Sequence, residues 1–229
     1  MSEDPDNESA DDSSSTDTGS ATLSEALAAH EIDLPEDQIE QLEAYCRALW
    51  EMNTKLNLTR HTTWDKFVAR DLVDSQWLER YLDSSERVLD VGTGGGVPGI
   101  VLAILRPDLE VSLCDSVAKK ARAVKEIVEQ LGLPVTVHHA PVQAVLAEHE
   151  YDTLVCRAVA PLPKLLFWLQ PHWDAFQQLL LIKGPNWTAE REEASQRKQL
   201  NFVRVQQIAS YPLAGTESES VILQVRRSA

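Results

Sequence analysis

Cysteine is scarce in this chain. Cys46, Cys114 and Cys156 are the three in 229 residues, an odd number with no Cys-x-x-Cys pair. That excludes a disulfide framework and argues against a thiolate metal site, so the three are expected to be reduced core residues and no metal is expected. Long hydrophobic runs are absent too: none approaches the roughly 18–20 apolar residues of a membrane span, so no membrane partner is expected. The N-terminus has neither the basic start nor the apolar stretch of a signal peptide, which sets the expectation of a cytoplasmic protein. Bases are missing altogether from residues 1–20, where seven acids stand (Glu3, Asp4, Asp6, Glu8, Asp11, Asp12, Asp17). The net charge is −15, and without that stretch 29 acids still face 21 bases. Proteins that grip nucleic acid through phosphates are usually basic, at least locally, so composition argues against such a partner.

What is present is the balance of an ordinary globular protein, 43% apolar and 25% charged, with length enough for one α/β domain. Residues 1–21 are rich in Ser, Asp and Thr and hold too little apolar surface to offset ordering entropy, so they are expected to form a disordered acidic tail. Residues 22–84 are expected to form a helical cap. Thr22-Leu23-Ser24-Glu25 is a capping box opening a short helix. Pro35 is placed at the first position of the next helix, and Ile39, Leu42, Cys46 and Leu49 recur there at helical spacing. A third helix is expected over about 64–82.

From Arg87 the pattern changes. Short β-branched runs at 87–92, 110–115, 134–140, 152–158 and 178–183 alternate with helical stretches near 98–106, 117–131, 142–149, 161–170 and 188–200. Such alternation means βαβ units and a parallel sheet covered on both faces. Two last runs, 202–211 and 220–226, have no helix between them and should close the sheet as an antiparallel hairpin. The expected fold class is therefore α/β, a Rossmann-like sheet with a C-terminal hairpin over 85–229. That element order is the one found in methyltransferases that use S-adenosylmethionine.

Ligands of open parallel sheets bind beyond the carboxyl ends of the strands. Here the first strand delivers Asp90-Val91-Gly92-Thr93-Gly94-Gly95-Gly96-Val97-Pro98-Gly99, which holds five of the chain's nine glycines. The second delivers Asp115, with Ser116 as a cap for the next helix. The third delivers Ala140-Pro141-Val142-Gln143, the fourth Arg157, the fifth Lys183-Gly184. Glycines let the backbone turn sharply and approach a ligand closely. Pro98 can start a helix whose N-terminus suits a methionyl carboxylate, and Asp115 is placed to accept from ribose hydroxyls. Gly94-x-Gly96-x-x-Gly99 also fits the dinucleotide pattern, but a dehydrogenase needs a second mononucleotide half, and too little chain follows Asp115 to supply one.

These pieces resemble the bacterial 16S ribosomal RNA guanine-N7 methyltransferases, once called glucose-inhibited division protein B. The resemblance runs over about residues 36–190, through Leu56-Asn57-Leu58-Thr59, Asp74-Ser75, the glycine loop, Asp115-Ser116 with Lys119-Lys120, Arg157-Ala158-Val159-Ala160 and Lys183-Gly184. It implies S-adenosylmethionine as cofactor, bound by Gly92, Gly94, Gly96, Val97, Asp115, Val142, Gln143 and Arg157, with Val142-Gln143 framing the adenine. It implies 16S ribosomal RNA or the small ribosomal subunit as partner, with a guanine of the 530 loop as target, and a monomer is expected. The sequence departs from the family pattern at three places. Asp71 stands where members often have His, Pro141 where they often have a base, and Gln143 where they often have Glu.

Guanine N7 carries an in-plane lone pair and no proton, so its methylation needs no general base. Positioning residues are expected instead of a catalytic dyad: Arg157 and Lys183 to orient the RNA or guanine edge, with Asn57, Asp74 and Ser75 shaping the entry side. Each has a plainer alternative. Arg157 can pair with a carboxylate such as Asp152, Lys183 can be an ordinary edge lysine, and Asp74-Ser75 can be a polar helix face. His138 and His139 cannot chelate together, because adjacent strand residues point to opposite faces. Trp168 and Trp173 can stack on a base, but helix packing is the preferred reading. A local basic surface from Lys55, Arg60, Arg70, Lys119, Lys120, Arg122, Lys164, Lys183 and Arg191 would answer the acidic balance. Two other functions stay open: a methyltransferase of the same fold acting on a small molecule or protein, and a silent relative that binds RNA or a partner without catalysis.

Overall fold

The computed structural model describes residues 19–213 and 218–228. The tail expected over 1–21 therefore falls mostly outside the described residues. Its last part does not: the Ser20 amide and hydroxyl both donate to the Asp65 carboxylate (2.8 and 2.6 Å).

Seven strands form one sheet: β1 (Arg87–Val91), β2 (Glu110–Cys114), β3 (Thr136–His138), β4 (Tyr151–Arg157), β5 (Phe176–Lys183), β6 (Val203–Pro212) and β7 (Glu219–Arg227). The spatial order is β3-β2-β1-β4-β5-β7-β6. The first five run parallel, while β7 is antiparallel to both β5 and β6. The expected hairpin is present, and its second strand lies inside the sheet. The order reverses at β1, between β2 and β4, which opens the crevice where ligands of such sheets bind.

The strands are buried on both faces and their side chains alternate. Val88, Val111, Leu113, Val155, Leu180 and Ile182 point into one core, and Leu89, Val91, Cys114, Leu154, Cys156, Leu179 and Leu181 into the other. The first core is covered by α5 (Gly99–Leu105), α6 (Ala118–Leu131) and the N-terminal helices α1 (Leu23–Ala29) and α2 (Glu36–Asn53). The second is covered by α7 (Val142–Leu146), α8 (Leu162–Leu169) and α9 (Trp187–Gln196). The cap thus shares its hydrophobic core with one face of the sheet. Burying each leucine of that core stabilises by about 1.5–3 kcal/mol.

Three helix starts differ from expectation in which residue takes the capping position. Thr22 caps α1 as expected, accepting from the Glu25 amide at 3.1 Å. Pro35 and Pro98, however, are N-caps and not first helical residues. Ser116 is exposed and caps nothing: α6 begins after Val117, whose amide donates to the Asp115 carboxylate at 2.8 Å. A charged acceptor one residue upstream outcompetes the serine hydroxyl. The helix expected over 64–82 is α3 (Trp64–Lys66) and α4 (Val73–Glu79) joined by a π-helical stretch, Phe67–Leu72. Such widened turns are rare and cluster at functional sites. All three cysteines are buried and free, and burial pushes the Cys114 and Cys156 thiols up to about 12, as befits inert core thiols.

Candidate functional site

The glycine loop after β1 is braced from within by Asp90, a fully buried strand residue. Its Oδ2 accepts from the Thr93 hydroxyl (2.6 Å) and the Gly99 amide (2.9 Å), so the loop closes on the strand that launches it. Oδ1 has no partner among the described residues, and burial pushes the carboxyl up to about 6, with the two hydrogen bonds opposing. At the start of α5 the Gly99 amide is thus committed to Asp90 and is not available to a ligand carboxylate.

Gly92 shows why the loop needs glycine. Its φ is +67°, and a Cβ there would lie 2.5 Å from Cγ2 of Val159. Val159 fills that space, and Ala158 just before it is itself left-handed at φ 54°. The Arg-Ala-Val-Ala stretch and the first loop glycine are therefore two halves of one contact. Gly95 meets the Leu56–Thr59 segment, with the Leu58 carbonyl oxygen 3.3 Å from where its Cβ would be. That segment is shaped by Asn53, whose side-chain oxygen accepts from the Leu58 and Thr59 amides (2.8 and 3.0 Å). Tyr45 on α2 donates to the Gly95 carbonyl at 2.9 Å.

A cavity of about 300 Å³ opens beside the loop, lined among others by Gly92, Asp115, Pro141, Val142, Val159 and Trp168. Gln143 lines it too. One wall is a nearly buried carboxylate: Asp115 is 6% exposed, with Oδ2 accepting from the Gly94 amide (3.1 Å) and Oδ1 from that of Val117. The remaining walls are mostly apolar, with one aromatic ring. Trp168 packs against the second core, as read above, and also lines this cavity, with the Lys164 ammonium 5.0 Å over its ring. Trp173 packs too, against Phe176 at 4.7 Å between centroids. The Trp168 position was hidden in the sequence because α8 is apolar nearly all round.

A second cavity, about 480 Å³, lies across Val159. Its lining includes Arg70, Asp74, Arg157, Lys183, Asn186 and Glu190. Arg157 ends β4 and is held from above by the cap. Nη1 contacts Asp71 Oδ1 at 2.7 Å and Asp74 Oδ2 at 3.1 Å. Burial disfavours its charge, but the two carboxylates outweigh that and raise its pKa, so it stays a guanidinium. The Asp152 pairing is not found: Asp152 accepts from the Arg87 amide and from Gln177. Asp74 Oδ1 accepts from Tyr211 at 2.7 Å, across 137 residues of sequence. Burial, then the neighbouring Asp74, pushes that phenol up.

Lys183 reaches the cavity already engaged, donating to the Ala160 carbonyl (2.8 Å) and to Glu190 Oε2 (2.7 Å). Glu190 Oε2 also takes the Leu162 amide at 2.7 Å, so this pair clamps the loop after β4 onto α9. Ser75 is fully buried and donates back to the Asp71 carbonyl four residues earlier, which keeps it out of both cavities. Asn57 is exposed and lines neither. Gly94 and Gly96 both take positive φ (58° and 105°) in the loop, and Val97 is buried there. Sequence reasoning missed Tyr45, Tyr211 and Glu190 as parts of the candidate site. The signal for the acid pair was present, since Asp71 and Asp74 are one helical turn apart. For Tyr211 there was none.

A seven-stranded sheet in this order, with a glycine turn after β1 and an acid ending β2, defines a class: the Rossmann-like, class I methyltransferases. A solved structure of this fold, a mutant of MtNAS in complex with S-adenosylmethionine, matches with a TM-score of 0.55 at 14% identity, covering 90% of this chain and 84% of that one. Residues 38–219 match the family model GidB, described as rRNA small subunit methyltransferase G. The ribosomal RNA small subunit methyltransferase G of Rhodopirellula baltica is 44% identical over 199 residues, covering 87% of this chain and 86% of the relative. The protein of the same name from Chromobacterium violaceum is 40% identical over 147 residues, covering 64% and 70%. The chain belongs to the rRNA small subunit methyltransferase G family. Among the described residues no helix is long and apolar enough to cross a membrane.

Proposed function

We propose that this protein methylates guanine N7 of 16S ribosomal RNA in the 530 loop, using S-adenosylmethionine, in the cytoplasm. The observation that carries the reading is the pair of cavities meeting at Val159, one with an acid and an aromatic ring, the other with a fixed guanidinium. The smaller one suits the cofactor by its donor chemistry. The Asp115 carboxylate is the natural acceptor for ribose hydroxyls, and Val142, Gln143 and Trp168 line the same cavity as a mostly apolar place for adenine. Gly92, Gly94, Gly96 and Val97 give the backbone turn on which the methionyl part would lie. When bound, S-adenosylmethionine supplies a methyl group on a sulfonium centre, an electrophile that needs no activation by the protein.

The chain's own task is placement. Guanine N7 has no proton to lose, so holding it in line supplies most of the acceleration, for which effective molarities allow about 7–11 kcal/mol. Arg157 is pinned through Nη1 alone, so neither carboxylate bond occupies Nε or Nη2, which can donate to O6 or to a phosphate. Lys183 and Glu190 hold the loop that carries Val159 against Gly92. Asp74 acts through Arg157.

Despite the acidic net charge, three bases gather in one groove. Lys55, Lys119 and Arg122 line a groove of about 370 Å³ between α2 and α6, beside Glu51 and Glu126. Lys119 follows Asp115 by four residues in the chain, and the groove it lines offers phosphate contacts.

The deciding assay is transfer of labelled methyl to small ribosomal subunits lacking the modification, with wild type, Arg157→Ala and Arg157→Lys in parallel. Label on a guanine N7 of 16S RNA, lost in both variants while Arg157→Lys stays folded, supports substrate and site together. Cofactor binding with no labelled RNA would sink the RNA reading and move a small-molecule or protein substrate, which the net charge suits, to the front.

A further inference from the structure

We propose that His61 is a positioning residue for methyl transfer: acting through Asp71, it fixes the plane of the Arg157 guanidinium. The inference rests on the methyltransferase reading above. His61 lies in the connection between α2 and α3, outside every motif discussed so far. Its Nδ1 sits 2.7 Å from Asp71 Oδ1, the same oxygen that holds Arg157 Nη1 at 2.7 Å. A carboxylate oxygen can only accept, so Nδ1 carries the proton and the imidazole tautomer is set.

Three observations make this more than a surface contact. First, His61 is itself clamped by its backbone: its carbonyl accepts from Trp50 Nε1 at 2.8 Å and its amide donates to Thr59 Oγ1 at 3.0 Å. Second, Asp71 is fully buried and its Oδ2 has no partner among the described residues. His61 and Arg157 are thus its two side-chain donors among the described residues, and without His61 the arginine is the one side-chain donor left to orient the carboxylate. Third, both acids hold Arg157 by one nitrogen, Nη1. A guanidinium tied at one corner keeps its plane only if the carboxylates that tie it cannot turn. Asp74 is fixed by Tyr211, and Asp71 is fixed by His61. The same connection presses the Leu58 carbonyl onto Gly95, so one cap segment sets both the glycine turn and the arginine.

The test uses the full chain with His61→Phe, which keeps a ring without a donor, and His61→Asn, whose amide N–H can replace Nδ1–H. Two readouts are taken: single-turnover methyl transfer to subunits, and the side-chain N–H signals of Arg157 in ¹⁵N-edited spectra at low temperature, assigned by their loss in Arg157→Lys. The expected result for His61→Phe is a fall of about 10- to 100-fold in the rate of transfer. KM for S-adenosylmethionine should stay within about twofold, and the Arg157 signal should broaden or vanish. His61→Asn should restore both. A wild-type rate, or an unchanged arginine signal, in folded His61→Phe overturns the proposal, as does failure of His61→Asn to restore either. If wild type itself labels no RNA, the methyltransferase reading fails by that control, while the arginine signal still decides the role of His61.

Discussion

Replacing Asp90 by asparagine isolates one buried charge whose cost depends on pH. In an unfolded chain this carboxyl titrates near 3.8, whereas in the folded protein burial pushes it up to about 6. Folding therefore favours the protonated form, and the charged form is opposed by about 3 kcal/mol at neutral pH. A carboxyl shifted upward stabilises most below its unfolded value, and that contribution is lost as pH rises through its folded value. Between pH 5 and pH 8 the wild type should accordingly lose about 1.4 kcal/mol through this group alone. The Asp90→Asn variant would keep an oxygen for Thr93 and Gly99 but has no titration there, so its fixed penalties are the same at both pH values. The difference in Tm, variant minus wild type, should therefore grow more positive by about 3–6 °C from pH 5 to pH 8 for a chain of this size. Differential scanning fluorimetry at the two pH values measures it, and all other titrating groups cancel in the difference. A gap that stays constant would refute the claim that Asp90 is held as a strained carboxylate beneath the glycine loop.

Four further outcomes follow from the same geometry. Gly92→Ala places a Cβ on Val159 at positive φ and should cost about 1–3 kcal/mol in urea unfolding, with weakened cofactor binding. Arg157→Ala leaves Asp71 and Asp74 buried without their cation and should cost about 3–5 kcal/mol, so its lost activity must be compared with that of Arg157→Lys. Tyr211→Phe removes the donor to Asp74 and should lower stability by about 1–3 kcal/mol, read from thermal unfolding. Asp115→Ala should weaken S-adenosylmethionine binding by about 10- to 100-fold in calorimetry, the worth of hydrogen bonds to a charged acceptor; unchanged affinity would remove the ribose role.

Much of the architecture was legible along the chain. The parallel strands are buried on both faces, and the runs at 87–92, 110–115, 152–158 and 178–183 therefore read as continuous apolar segments with helices between them. The candidate site was legible only where it is local. The glycine loop, Asp115, Val142-Gln143 and Arg157 all stand at strand ends, and the fold delivers strand ends to one edge of the sheet. The orientation of Ser75 was not legible for a related reason. A motif fixes neighbours in sequence, but helix phase decides which of them faces the cavity: Asp74 does, whereas Ser75 turns back to the Asp71 carbonyl.

By itself the sequence determined the order of elements, the switch from helical cap to alternating strands, and the turn that only glycine permits at 92. These depend on periodicity and on backbone sterics, which act within a few residues. Tertiary structure alone decided that β7 enters the sheet between β5 and β6 and brings its partner strand's Tyr211 to Asp74. It also decided that His61, Asp71 and Asp74 from the cap converge on an arginine ending β4, and that Val159 fills the space Gly92 leaves open. Those contacts join residues far apart in the chain, and their identity follows from packing three layers against one another, a property that no short stretch of sequence carries.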